Sequence, residues 1–253
     1  MHRRFTGRNP KTPDMKKLLA FAFLLLGAGS LQAQKTINDD NARVRSVPAF
    51  RGIRVSSGID LYLSTGEPAV AVSARESEFR DRIRTEVENG VLKIWYDTRD
   101  LKNMVWGNSK NLRAYVSARE IEQLGASGGS DVFIDGTLSA PTLKVDLSGG
   151  SDFKGRVAIS GKLECHANGG SDVIISGTAG DLEVHAAGGS DFKGRELVAE
   201  TMRAEASGGS DIDATVNREV RASASGGSDV YYRGNASLVE SNKSGGSDIK
   251  KRG

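Results

Sequence analysis

A five-residue block, Gly-Gly-Ser-Asp followed by an apolar residue, occurs seven times between Gly128 and Ile249. Its aspartates are Asp131, Asp152, Asp172, Asp191, Asp211, Asp229 and Asp248, at intervals of 21, 20, 19, 20, 18 and 19 residues. A period near 20 with a slack of one or two residues describes stacked structural units whose turns absorb insertions.

Alignment on the aspartate reveals the rest of the unit. Nine residues before it stand Leu143, Leu163, Leu182, Met202, Val220 and Val239. Seven before are Val145, Cys165, Val184, Ala204, Ala222 and Ser241, and five before are Leu147, Ala167, Ala186, Ala206, Ala224 and Lys243. The intervening positions are polar, among them Glu164, His166, Glu183 and His185. Such alternation with a period of two is the mark of a strand with one buried face. The residue after each aspartate is always apolar, so a second inward position opens another short strand, and a further glycine in most units marks a second corner.

Short strands separated by glycine corners in coils of about 20 residues predict an all-β fold, a parallel β-solenoid whose coils hydrogen-bond at a spacing of about 4.8 Å. Helical repeats need longer units and a 3.6-residue period, and neither occurs. An aromatic content of 6% fits a core of small aliphatic side chains. Residues 47–120 lack the block but alternate in the same way, and Ser57-Gly58-Ile59-Asp60 is a degenerate relative of it. They are read as the opening, longer-stranded coils of one domain spanning 47–253, with the repeat ladder at 121–253. Residues 78–88 suit a short helix or a charged hairpin arm, and 100–111 a loop.

The start of the chain has a different character. Met15 to Gln34 combines Lys16 and Lys17, an apolar run from Leu18 to Leu26, and small residues before a cut expected after Ala33. This is the layout of a secretory signal peptide, too short in its apolar run for a spanning helix. Residues 1–14 are then an upstream extension, with Met1 and Met15 both open as start codons, and 34–46 a frayed mature N-terminus. Removing residues 1–33 takes six of the 35 basic residues and one of the 32 acidic ones, leaving 29 and 31 and a net charge of −2. The expectation is export to the periplasm, outer membrane or exterior, with no transmembrane segment in the mature chain. A nucleic-acid partner loses its electrostatic support. Cys165 is the single cysteine and precludes an intramolecular disulfide or a cysteine-based zinc motif, and the residue directly after the cut is Gln34 rather than a cysteine that could carry a lipid.

The strand Phe50-x-x-Ile53-x-Val55, the segment Asn89-Gly90-Val91-Leu92-Lys93-Ile94, and the run from Ile121 to Val132 leading into the ladder resemble, in that order, the head GIN domain family of auto-transporter adhesins. The resemblance covers residues 47–253. It implies a secreted or envelope-associated β-solenoid of a Gram-negative bacterium, with adhesion as the inferred role and no catalytic residues to carry over.

Stacked coils place the seven aspartates in one column. Two carboxylates about 4.8 Å apart repel by roughly 0.9 kcal/mol in water and roughly 3.5 kcal/mol at an effective dielectric of 20. Relief can come from backbone N–H groups of each aspartate's own turn, with serine hydroxyls bridging coils. It can also come from Ca²⁺ between coils; the spacer glycine of calcium-binding nonapeptide repeats is missing and the period is twice theirs. A third reading is direct contact of the Ser/Asp face with a protein or glycan surface. His166 and His185 share one outward position in adjacent coils, each two residues after a glutamate, and are a metal candidate or a solvated face. Trp106, Tyr231 and Tyr232 are candidates for stacking on a sugar, whereas Trp95 lies in an alternating strand and can equally belong to the core.

Serine and aspartate recur in every coil, so their coexistence with histidine does not indicate a triad. The leading expectation is a non-enzymatic surface protein without a cofactor, bound to an unidentified protein or glycan of the envelope or host. A calcium- or glycan-binding envelope module is the alternative, and a polysaccharide-acting enzyme the third.

Overall fold

The computed structural model describes residues 39–99 and 110–253. The expected signal peptide at 1–33 and most of the loop at 100–111, with Trp106, lie outside them. Parallel strands stack into a β-solenoid with almost no helix. The strands that build it are β1 (Arg43–Val44), β2 (Gly52–Ser56), β3 (Asp60–Thr65), β4 (Ala69–Ser73), β5 (Ile83–Glu88), β6 (Val91–Tyr96), β7 (Arg113–Ala118) and β8 (Gln123–Ser127). They continue with β9 (Val132–Ala140), β10 (Leu143–Ser148), β11 (Phe153–Asn168), β12 (Val173–Ala187), β13 (Phe192–Ser207), β14 (Asp211–Ser225), β15 (Asp229–Arg233), β16 (Ser237–Lys243) and β17 (Asp248–Lys251).

Two parallel ladders flank the Gly-Gly-Ser-Asp corner. The first runs β6, β2, β8, β10, then the C-terminal parts of β11 to β14, and ends at β16. The second runs β7, β3, β9, the N-terminal parts of β11 to β14, β15 and β17. Leu143, Leu163, Leu182, Met202 and Val220 stand in register and buried, as do Val145, Cys165, Val184, Ala204 and Ala222. The first residues of the second ladder, among them Phe153, Val173, Phe192, Ile212 and Val230, are buried as well. The period-two pattern is thus a core pattern as far as β14, its small fifth-position alanines packing inside the corner. In the last coil it fails, because β16 is exposed along its whole length and pairs Leu238 rather than Val239 with Val220.

Most of the slack in the period falls on the side of the coil away from the corner; one further shift, between Val220 and Arg221 of β14 against β16, lies in the strand that leads into the last corner. Register shifts fall at 154–156 of β11, 174–176 of β12 and 194–198 of β13, and again near 159–162 and 199–201. The corner itself never shifts, which is why the block is legible in sequence.

Before the ladder, the coils are not stacked in chain order. The coil of β2 and β3 lies between that of β6 and β7 and that of β8 and β9. Antiparallel strands complete this end: β5 pairs β6, β4 pairs β7, and β1 pairs β4. Residues 78–88 hold both expected alternatives, the one-turn helix α1 (Ser77–Asp81) followed by the hairpin strand β5. Residues 39–46, expected to fray, are instead docked. Arg45 donates its N–H to the Val70 carbonyl at 2.8 Å and the Tyr115 hydroxyl donates to Asp39 at 2.8 Å. Pairing β4's free edge gives this short segment the backbone partners a tail would lack.

Candidate functional site

In the first five corners two consecutive glycines lie in the left-handed region, for example Gly149 at φ 66° and Gly150 at φ 71°, and in the last two only the first of the pair, Gly226 and Gly245, does. The first lies against the preceding coil: a Cβ on Gly149 would stand 3.3 Å from the Gly128 nitrogen, whereas one on Gly150 would meet nothing. The serine then turns inward. Ser130, Ser151, Ser171, Ser190, Ser210 and Ser228 are fully buried, and each hydroxyl from Ser151 to Ser228 accepts the N–H of the serine one coil earlier at 3.0–3.1 Å. Ile59 occupies the serine position of the degenerate corner and donates its N–H to the Ser130 hydroxyl at 3.0 Å.

The aspartates point outward and bond in the opposite sense. Oδ1 of Asp131, Asp152, Asp172, Asp191, Asp211 and Asp229 accepts the N–H of the aspartate one coil later, at 2.9–3.3 Å. The amides come from the next coil rather than from the aspartate's own turn, because parallel stacking aims each Asp N–H along the column axis. Oδ2 takes other partners: Lys193 lies 2.6 Å from Asp172 and 3.2 Å from Asp191, Lys250 lies 2.6 Å from Asp248, and the Tyr231 hydroxyl donates to Asp229 at 2.5 Å.

Register extends the column to Asp60, level with Asp131 and paired with Arg113. Burial, with the Asp131 charge adding to it, pushes the Asp60 carboxyl above its ordinary value. Burial also raises Asp211, between Asp191 and Asp229, despite the N–H it accepts. The Lys250 ammonium instead holds Asp248 below the usual range.

On the outward face of the first ladder, the rings of His166 and His185 meet edge to face with centroids 4.8 Å apart. Every ring nitrogen faces a carboxylate. His166 reaches Asp146 and Glu164 at 3.2 Å each, and His185 reaches Glu183 at 3.0 Å and Glu205 at 3.1 Å. Lys144 and Lys162 complete the network, 2.5 Å from Glu164 and Glu183 respectively. The Lys162 ammonium, with His185 beside it, lowers the Glu183 carboxyl to about 2. Among the described residues no group of three or more His, Cys, Asp or Glu is arranged to hold a metal ion.

The aromatic candidates separate. Tyr232 is buried in the core at 5% exposure and cannot meet a sugar, because it occupies the inward position two after Val230. Tyr231 faces out, but the Arg252 guanidinium lies 3.1 Å from its ring centroid. Trp95 belongs to the outward face of β6 and is only partly buried. Missed in sequence is a stack of Tyr115, Tyr62 and Phe133 on the outward face of the second ladder, with centroids 5.4 and 5.2 Å apart. These residues come from three segments stacked out of chain order, so no fixed spacing connects them.

No helix among the described residues is long and apolar enough to cross a membrane. The structure is similar to one from Bacteroides fragilis NCTC 9343 described as a "putative adhesin", at 20% identity and a TM-score of 0.75, covering 83% of this chain and 96% of that one. A second "putative adhesin", from Parabacteroides merdae ATCC 43184, is 11% identical with a TM-score of 0.65, covering 84% and 95%. A "putative lipid binding protein" from Parabacteroides distasonis ATCC 8503 is 16% identical with a TM-score of 0.61, covering 83% and 96%. At these identities the likeness is one of fold. No curated protein sequence matches. The family described as "Putative auto-transporter adhesin, head GIN domain" matches residues 49–236, and the chain belongs to it.

Proposed function

We propose that this protein is a non-enzymatic, exported solenoid that presents its outward columns to another surface, in adhesion or in contact with the cell envelope. The observation that carries this reading is the repetition of outward polar groups at fixed height and register, as in the aspartate column from Asp131 to Asp248. A surface of that kind offers many equivalent weak contacts, whose sum is large only against a partner that is itself extended. Membership of an adhesin family and the signal-peptide pattern before Ala33 support the same reading.

The test is retention of the labelled exported chain on bacterial envelope fractions and on epithelial cells. Saturable retention that unlabelled protein displaces is expected. Retention no greater than that of a solenoid of unrelated sequence would overturn the proposal.

A further inference from the structure

A groove of about 500 Å³ crosses the outward face of the first ladder, where β6, β2, β8 and β10 run side by side. This volume lies within the roughly 300–1,000 Å³ of small-molecule sites. Its floor exists because one outward position is glycine. The column reads Lys93, Arg54, Gly125, Asp146, and at the third place there is no side chain. The Arg54 side chain leans into the space, its Cγ 3.1 Å from where a Cβ of residue 125 would stand.

The neighbouring column, two residues further along each strand, reads Trp95, Ser56, Ser127, Ser148. An indole thus stands at one end of a row of hydroxyls, beside a row of charge. Trp95 lines the groove. An indole face suits the C–H face of a pyranose, and serine hydroxyls suit its hydroxyl groups.

The charges narrow the class. Lys93 is ion-paired with Glu88, Arg84 with Asp97, and Asp146 with His166 and Lys144. Arg54 has no such partner among the described residues. A guanidinium left without an anion in a groove of hydroxyls and one indole fits a carboxylate, which it can bind through two parallel hydrogen bonds. The strands of the floor are paired on both sides, so an extended peptide finds no free edge to join.

We infer that this groove binds an acidic oligosaccharide of the hexuronic acid class, with a sugar ring on Trp95, its carboxylate on Arg54, and hydroxyls on Ser56, Ser127 and Ser148. The inference rests on the surface-contact reading above and gives it a ligand class.

The experiment is calorimetric titration of the exported chain with trigalacturonic acid and with a hyaluronan tetrasaccharide, using fully methyl-esterified trigalacturonate as the neutral control. Binding of at least one acidic probe is expected, weakened about tenfold or more by Arg54→Gln, abolished by Trp95→Ala and unaffected by Lys250→Gln. Both side chains point outward, and an unchanged thermal melt verifies that each variant is folded. Absence of binding by both acidic probes, equal binding of the neutral ester, or binding that survives both substitutions would each overturn the inference. Retention on envelope or cells that persists in Trp95→Ala would sink the groove while leaving the surface-contact reading intact. Retention that acidic oligosaccharide fails to displace would point to a protein ligand and likewise count against it.

Discussion

At the scale of single residues, the corner assigns a different duty to each of its four positions. The buried serine hydroxyl satisfies an amide one coil back, and the exposed aspartate satisfies one a coil ahead, so a buried polar turn carries its own hydrogen-bond partners. The two glycines differ in a way that can be measured. Gly188 and Gly189 both have positive φ, at 70° and 78°, which disfavours a side chain by roughly 1–2 kcal/mol. Only Gly188 also abuts the neighbouring coil, a Cβ there standing 3.3 Å from the Gly169 nitrogen. Gly188→Ala is therefore expected to cost more in urea denaturation than Gly189→Ala, and equal losses would show that conformation alone fixes the first glycine. The repeat made the need for glycine legible, but not the two separate reasons for it.

At the scale of elements, the outward face of the first ladder is an ion-paired surface whose strength depends on pH. The carboxyl of Glu183 falls from an ordinary 4.5 to about 2 through Lys162 and His185. A depressed carboxyl contributes stability that is present in full above the unfolded value and lost as pH falls toward the folded one. Glu183→Gln is thus expected to destabilise the protein by up to about 1 kcal/mol at pH 7, given the partial exposure of the pair. The difference from wild type should shrink below about pH 4 and be gone near pH 2. Denaturation curves across that range measure it, and a constant difference would contradict the ion-pair account.

The aspartate column makes a second prediction. Backbone N–H groups hold one oxygen of six carboxylates, and Lys193, Lys250 and Tyr231 hold others. Chelation with EGTA should leave the melting temperature unchanged, whereas a drop of several degrees would place Ca²⁺ in the column. The alignment of coils made the column itself legible; the direction of its hydrogen bonds depends on how parallel strands aim their amides.

At the scale of the whole molecule, a solenoid is stabilised coil by coil, and an interior coil supports both neighbours. Deleting residues 237–253 removes the outermost strands β16 and β17 and is expected to lower Tm by roughly 5–15 °C. Deleting residues 52–65 removes β2 and β3, which early chain position would suggest are terminal but which stand between two other coils. That deletion should abolish the cooperative melt, and a comparable mild loss from both would mean that the stack follows chain order. The sequence by itself determined the strands, their buried faces, the coil length and the corner, because a unit repeated in register must write the same inward residues at every turn. Only the tertiary structure decided the order of the opening coils, the stack of Tyr115, Tyr62 and Phe133, and the groove over Gly125. Each of these joins segments at unrelated separations, where neighbours are set by which strand edge is left open to pair and by no period in the chain.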